Sequence, residues 1–295
     1  TKDRPSSANS GGEKTRIPTM LSMAFGQAPS SPILTYTGSM QGDIYCWREN
    51  QLLKIIAKAH AGPIFAMYTT LSDGFIVTGA KEPSSENSVV KLWDSEMNRC
   101  KPFTIEPHTL SAVADGAPPL ASVCVKAVSR IRGSILVGLA DNEIWMINER
   151  NGTSQPLMTG HGDGELWGLS VHPKEPQVII SASQDGSLRV WDANKKTQMK
   201  RLQCPAPAQS CAVAPNGRFV AVGLVNGQVL IVAMNLADAA SQLKVAHKIR
   251  DRGKAINDVK FSPDGKVLAV GGQDCCVDLY NVTDPQALLR IGSCK

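Results

Sequence analysis

A chain of 295 residues, 42% hydrophobic and 19% charged, can bury a large core, yet it has no apolar run approaching the roughly 20 residues needed to cross a bilayer. Its net charge of +5 is mild and compatible with an acidic partner, whereas 5% aromatic residues that do not interleave with a basic stripe argue against a nucleic-acid stacking platform. The polar N-terminal stretch carries no signal-peptide core, so a soluble cytoplasmic protein without membrane partners is expected.

Residues 1–16 are rich in Ser, Gly, Lys and Asn and read as a flexible tail or linker. From Ile17 onward, short alternating apolar runs recur between turn residues, the pattern of half-buried strands. The first repeat runs through MLSMAF (20–25), PILTYTG (32–38), GDIYCW (42–47) and LLKII (52–56). The second has PIFAMY (63–68), FIVTG (75–79) and VVKLWD (89–94), with an inner turn swollen by residues 80–88. A polar segment, roughly 108–119, leads to the third, which contains ASVCVKAV (121–128), SILVG (134–138) and EIWMIN (143–148).

The fourth repeat, residues 160–192, is the most legible. A Gly-His dipeptide opens it, Trp191-Asp192 closes it, and Gln184-Asp185-Gly186-Ser187 supplies a reversing turn. The fifth follows in SCAVA (210–214), FVAVG (219–223) and QVLIV (228–232), and the sixth in INDVKF (256–261), VLAVGG (267–272), VDLY (277–280) and QALLRI (286–291). Third-strand anchors fall at Trp47, Trp93, Ile147, Trp191, Val232 and Tyr280, spaced 46, 54, 44, 41 and 48 residues apart. Four-stranded propeller blades repeat at about 40–45 residues, and the excess sits in polar loops.

The fold expected is therefore all-β, a WD-repeat β-propeller over residues 17–295 with six recognisable four-stranded blades. Either the six blades close the ring or, the reading favoured, a seventh blade is supplied by sequence outside this chain.

Within the fourth blade, His161, Ser181, Asp185 and Trp191 are expected to join in one hydrogen-bonded chain, because buried indole, imidazole and carboxylate groups each need a partner. Its Ser, His and Asp mimic a catalytic triad, but no exposed nucleophile or oxyanion site is signalled, so no enzyme is expected. The segment GDGELWG (162–168) has the wrong glycine spacing for a phosphate loop and precedes a strand, and the five histidines lack ligand spacing. No cofactor or metal is expected.

The eight cysteines, Cys46, Cys100, Cys124, Cys204, Cys211, Cys275, Cys276 and Cys294, show no CxxC pairing and are expected to be free thiols. Lys248, Arg250, Arg252 and Lys254 concentrate positive charge at the entry to the sixth repeat and are the candidate contacts for an acidic partner.

At HGDGELWGLSVHPKEP (161–176) the sequence resembles the echinoderm microtubule-associated protein-like family. TYTGSMQGDIYCW (35–47), KAHAGPIFAMY (58–68), PAQSCAVAPNGRFVAVG (207–223) and NDVKFSPDGKVLAVGGQDCCVDLYNV (257–282) fit that family in the same order. Its members resemble one another in tandem atypical propellers that bind tubulin or decorate microtubules, many with an N-terminal coiled coil. This sequence departs from that pattern in showing no heptad segment and no second ring. The resemblance implies a non-enzymatic platform for tubulin, microtubules or axonemal and cytoskeletal partners, located on the cytoskeleton or in a cilium. A generic scaffold or adaptor in a ubiquitin-ligase or trafficking complex is the alternative.

Overall fold

Strands short enough to be cut by Gly, Asn and Asp, and polar on alternate positions, fold in the computed structural model as 25 β-strands in six sheets among the described residues. The structure describes residues 18–26, 33–70, 73–83, 88–106, 111–118, 122–131, 133–162, 164–238, 240–284 and 288–294; the tail expected over residues 1–16 lies outside them.

The first blade is β1 (Met20–Gly26), β2 (Leu34–Ser39), β3 (Ile44–Arg48) and β4 (Gln51–Ile56); the second is β5 (Ile64–Thr69), β6 (Ile76–Ala80), β7 (Val90–Trp93) and β8 (Cys100–Phe103). After β9 (Ser111–Val113), the third blade is β10 (Val125–Ile131), β11 (Ser134–Leu139), β12 (Ile144–Asn148) and β13 (Ser154–Met158). The fourth comprises β14 (Leu166–Val171), β15 (Val178–Ser183), β16 (Ser187–Asp192) and β17 (Thr197–Gln203). The fifth follows in β18 (Ala208–Val213), β19 (Phe219–Leu224), β20 (Val229–Ala233) and β21 (Lys244–Ile249), and the sixth in β22 (Ile256–Phe261), β23 (Val267–Gly272), β24 (Val277–Asn281) and β25 (Leu289–Cys294).

Each blade is an antiparallel meander. All six share a register shift near the start of the innermost strand, as between Leu166 and Gly168 or Ile256 and Asp258. A bulge here adds local twist to each blade at the same place. The turn between second and third strands needs a left-handed residue, supplied by Gly42, Gly186 and Gly227 and, in the third and sixth blades, by Asn142 (φ 62°) and Cys275 (φ 62°).

The segment between the second and third blades departs from the expected polar connection. Its β9 crosses to the outer edge of the fourth blade and pairs in parallel with β17, Ser111 opposite Arg201 and Val113 opposite Gln203. The fourth blade thus has five strands rather than four.

The apolar cores divide the six blades into two arcs. One cluster joins the first and second blades through Ile44, Ile64 and Trp93, and another joins the second and third through Val77, Val125 and Ile147. A third spans the fourth and fifth through Val190, Leu202 and Val222, with Ala112 of the β9 segment, and a fourth spans the fifth and sixth through Ile231, Ile256 and Tyr280. None of these clusters crosses from the third blade to the fourth. There the contact is polar: Asn142 Nδ2 donates to the carbonyls of His161 (3.1 Å) and Gly162 (2.8 Å), and Arg189 lies 3.6 Å from Glu143.

Candidate functional site

The Gly-His dipeptide precedes β14, so His161 reaches under the β15–β16 turn. Its Nδ1 lies 3.0 Å from Asp185 Oδ2 and its Nε2 2.7 Å from Ser181 Oγ, which also accepts from Trp191 Nε1 at 2.7 Å. With the proton on Nδ1, the indole donates to Ser181, Ser181 to His161 and His161 to Asp185, so each group has a partner. Gly162 N (2.9 Å), Ser187 N (2.8 Å) and Ser187 Oγ (2.7 Å) also donate to the carboxylate. Burial works to raise the Asp185 pKa, but these hydrogen bonds prevail and hold it far below the usual carboxylate range. Ser181 is buried with its oxygen capped by the indole, so its hydroxyl is not presented as an exposed nucleophile.

A second such chain lies in the second blade. His60 Nδ1 is 2.5 Å from Glu82 Oε1, its Nε2 is 2.8 Å from Thr78 Oγ1, and Trp93 Nε1 donates to the same hydroxyl at 2.9 Å. Glu82 sits in the swollen turn and was missed as a functional partner in the sequence. The available signal was spacing, since the carboxylate follows the hydroxyl by four residues in both blades. Burial lowers the His60 pKa, against the opposing pull of Glu82.

The other blades vary the scheme. Among the described residues, the first shows the indole step, Trp47 Nε1 to Thr37 Oγ1 at 2.9 Å. In the third, Ile147 holds the anchor place and Trp145 instead donates to Glu143 (2.9 Å), whose pKa burial pushes up. In the sixth, Tyr280 donates to Asp251 (2.9 Å), while Arg252 reaches Asp274 and lies 2.8 Å from Asp278 through Nε.

The structure separates the four basic residues that were read as one contact surface. The Arg252 side chain is buried within the sixth blade's ion-pair network. Lys248 belongs to β21, not a loop, and its Nζ bonds the Asp115 carbonyl (3.0 Å) and carboxylate (3.2 Å) beyond β9. Arg250 and Lys254 are exposed. Among the described residues, no group of three His, Cys, Asp or Glu side chains is arranged to hold a metal ion. No helix among them is long and apolar enough to cross a membrane.

Comparison with known proteins matches residues 166–295 to the echinoderm microtubule-associated protein second beta-propeller, a boundary that coincides with the first strand of the second arc. Over 263 residues the chain is 31% identical to echinoderm microtubule-associated protein-like 2 of Rattus norvegicus, covering 88% of this chain and 36% of the relative. It is 28% identical to echinoderm microtubule-associated protein-like 1 of Mus musculus (88% and 29% covered) and 25% identical to the 77 kDa echinoderm microtubule-associated protein of Strongylocentrotus purpuratus (88% and 34%). The chain spans about a third of the length of these relatives. Blade architecture, the match over the second arc and similarity along most of the chain agree in likening it to the echinoderm microtubule-associated protein-like family.

Proposed function

We propose that this protein is a non-enzymatic interaction platform of the microtubule cytoskeleton, presenting blade loops to tubulin or to a cytoskeletal or axonemal neighbour. The similarity to that family carries this reading, since the relatives' names describe microtubule-associated proteins. The geometry supports it by placing the polar constellations inside the blades, where they hold loops rather than meet ligands. Arg250 and Lys254 are the exposed cations for an acidic tubulin surface, whose attraction falls with salt.

Co-sedimentation with microtubules tests this. The chain is expected to pellet with the polymer, less so as salt rises and less so after Arg250→Ser with Lys254→Ser. Failure to bind both polymer and soluble tubulin overturns the proposal.

A further inference from the structure

In sequence β9 stands between β8 and β10, but in space it lies on the outer edge of the fourth blade, paired in parallel with β17. Among the described residues, no other blade carries a strand beyond its own four. This edge is not an end of either arc, and the chain covers it with its own residues.

The pairing sets a row of polar side chains on one face of the blade: Ser181 opposite Arg189, Arg189 opposite Arg201, and Arg201 opposite Ser111. All four are buried, Arg189 at 0% exposure and Arg201 at 8%. Arg189 has carboxylates beside it, Glu143 at 3.6 Å and Asp185 at 3.5 Å. Arg201 forms no ion pair with a described residue. Its Nη2 donates to the Gln203 side chain at 3.3 Å, while its Nε and Nη1 have no partner, and neither has Ser111 Oγ. A buried guanidinium without a counter-charge and a dry hydroxyl are both costly, so docking β9 on β17 closes over groups that water would otherwise satisfy.

What holds β9 in place is slight. It makes three ladder pairs and a bond from Ala114 N to the Gln203 carbonyl (2.9 Å), and it places Ala112 and Ala114 in the apolar cluster. Beyond it the Lys248–Asp115 pair has a carboxylate that is 97% exposed. Alanine methyls and an exposed ion pair add little, so β9 can leave without any blade opening.

We propose that β9 is a releasable strap over a strand-docking edge, whose preferred occupant is an extended acidic segment of a partner protein with a carboxylate opposite Arg201, where β9 brings Ser111. The occupant follows from charge. The vacated edge of β17 offers unpaired backbone N–H and C=O groups beside a guanidinium that lacks a counter-charge, and a strand with Asp or Glu at that place satisfies both. A neutral segment leaves Arg201 as β9 leaves it.

Hydrogen exchange of the whole chain, read by mass spectrometry, tests the strap. Amides of β9 are expected to exchange about a hundredfold faster than those of β15 and β16. Ser111→Asp is expected to slow β9 about tenfold by giving Arg201 a partner, and Arg201→Met to cancel that gain. A fluorescein-labelled peptide of residues 111–118 tests the docking edge on the chain carrying Ala112→Glu, which unseats β9 by placing a charge in the apolar cluster. The peptide with Ser111→Asp is expected to bind about tenfold more tightly than the peptide of unaltered sequence. Exchange of β9 in step with β16 overturns the proposal, as does a Ser111→Asp chain whose β9 exchanges as fast as the parent's or faster. Equal binding of the two peptides, or binding of neither, also overturns it. Microtubule co-sedimentation enters none of these readouts.

Discussion

Replacing Trp191 by Phe removes the donor from the fourth blade's chain while keeping an aromatic ring in place. The indole nitrogen lies 2.7 Å from Ser181 Oγ, and that oxygen keeps His161 Nε2, also at 2.7 Å. No buried hydroxyl is orphaned, so the loss is one hydrogen bond, about 1 kcal/mol. The smaller ring gives up packing against the His161 edge (centroids 6.0 Å apart) and beneath Arg189 (5.9 Å), adding about 1 kcal/mol more. A total of about 2 kcal/mol corresponds to a fall of roughly 5–10 °C in the melting temperature of the second arc. Calorimetry reads this shift directly. In a double-mutant cycle, His161→Gln with Trp191→Phe should be non-additive, because both act through Ser181. If Trp191→Phe melts like the parent and instead loses partner binding, Trp191 is a contact residue and the structural role assigned to this chain is wrong.

Arg252→Ser should destabilise the sixth blade by about 3 kcal/mol in denaturant titration, since it strips Asp274 and the buried Asp278 of a partner, whereas Arg250→Ser should leave the midpoint unchanged. The pH dependence should carry a His60 component. Burial sets the native His60 pKa below its ordinary 6.5, so the unfolded chain binds the proton first; stability present above pH 6.5 is lost as pH falls through it, and His60→Gln should flatten that limb of a melting-temperature profile. Thiol labelling of the native protein followed by mass spectrometry should modify Cys100, Cys275 and Cys294 and spare Cys204 and Cys211, whose pKa values burial pushes up to about 12; rapid labelling of either buried thiol would contradict their packing.

Much of the fold was legible because it is written locally. Alternation over five or six residues marks strands such as β22 and β23, whose bounds match the sequence reading, and Asp-Gly or Asn-Gly pairs mark where the chain reverses. The positions of His161, Ser181, Asp185 and Trp191 could be read for the same reason, since a repeat fixes which strand and turn each occupies. Their distances then follow from blade geometry.

Contacts between distant segments were not legible. Nothing in Ser111-Ala112-Val113 shows that it leaves its neighbours to pair with β17, because three small residues suit any open strand edge. The buried pairing of Arg252 and the tie between Lys248 and Asp115 depend on what the fold brings opposite each cation, and in sequence both looked like members of one solvated cluster. The break between arcs was hidden more deeply still. Leu166 stands in the register of Ile64 and Ile256, which are buried, yet it is exposed. Sequence determines that such a side chain faces outward from its own blade toward a neighbour, but only the tertiary structure decides whether a neighbour stands there, because burial on that face is a property of two blades together.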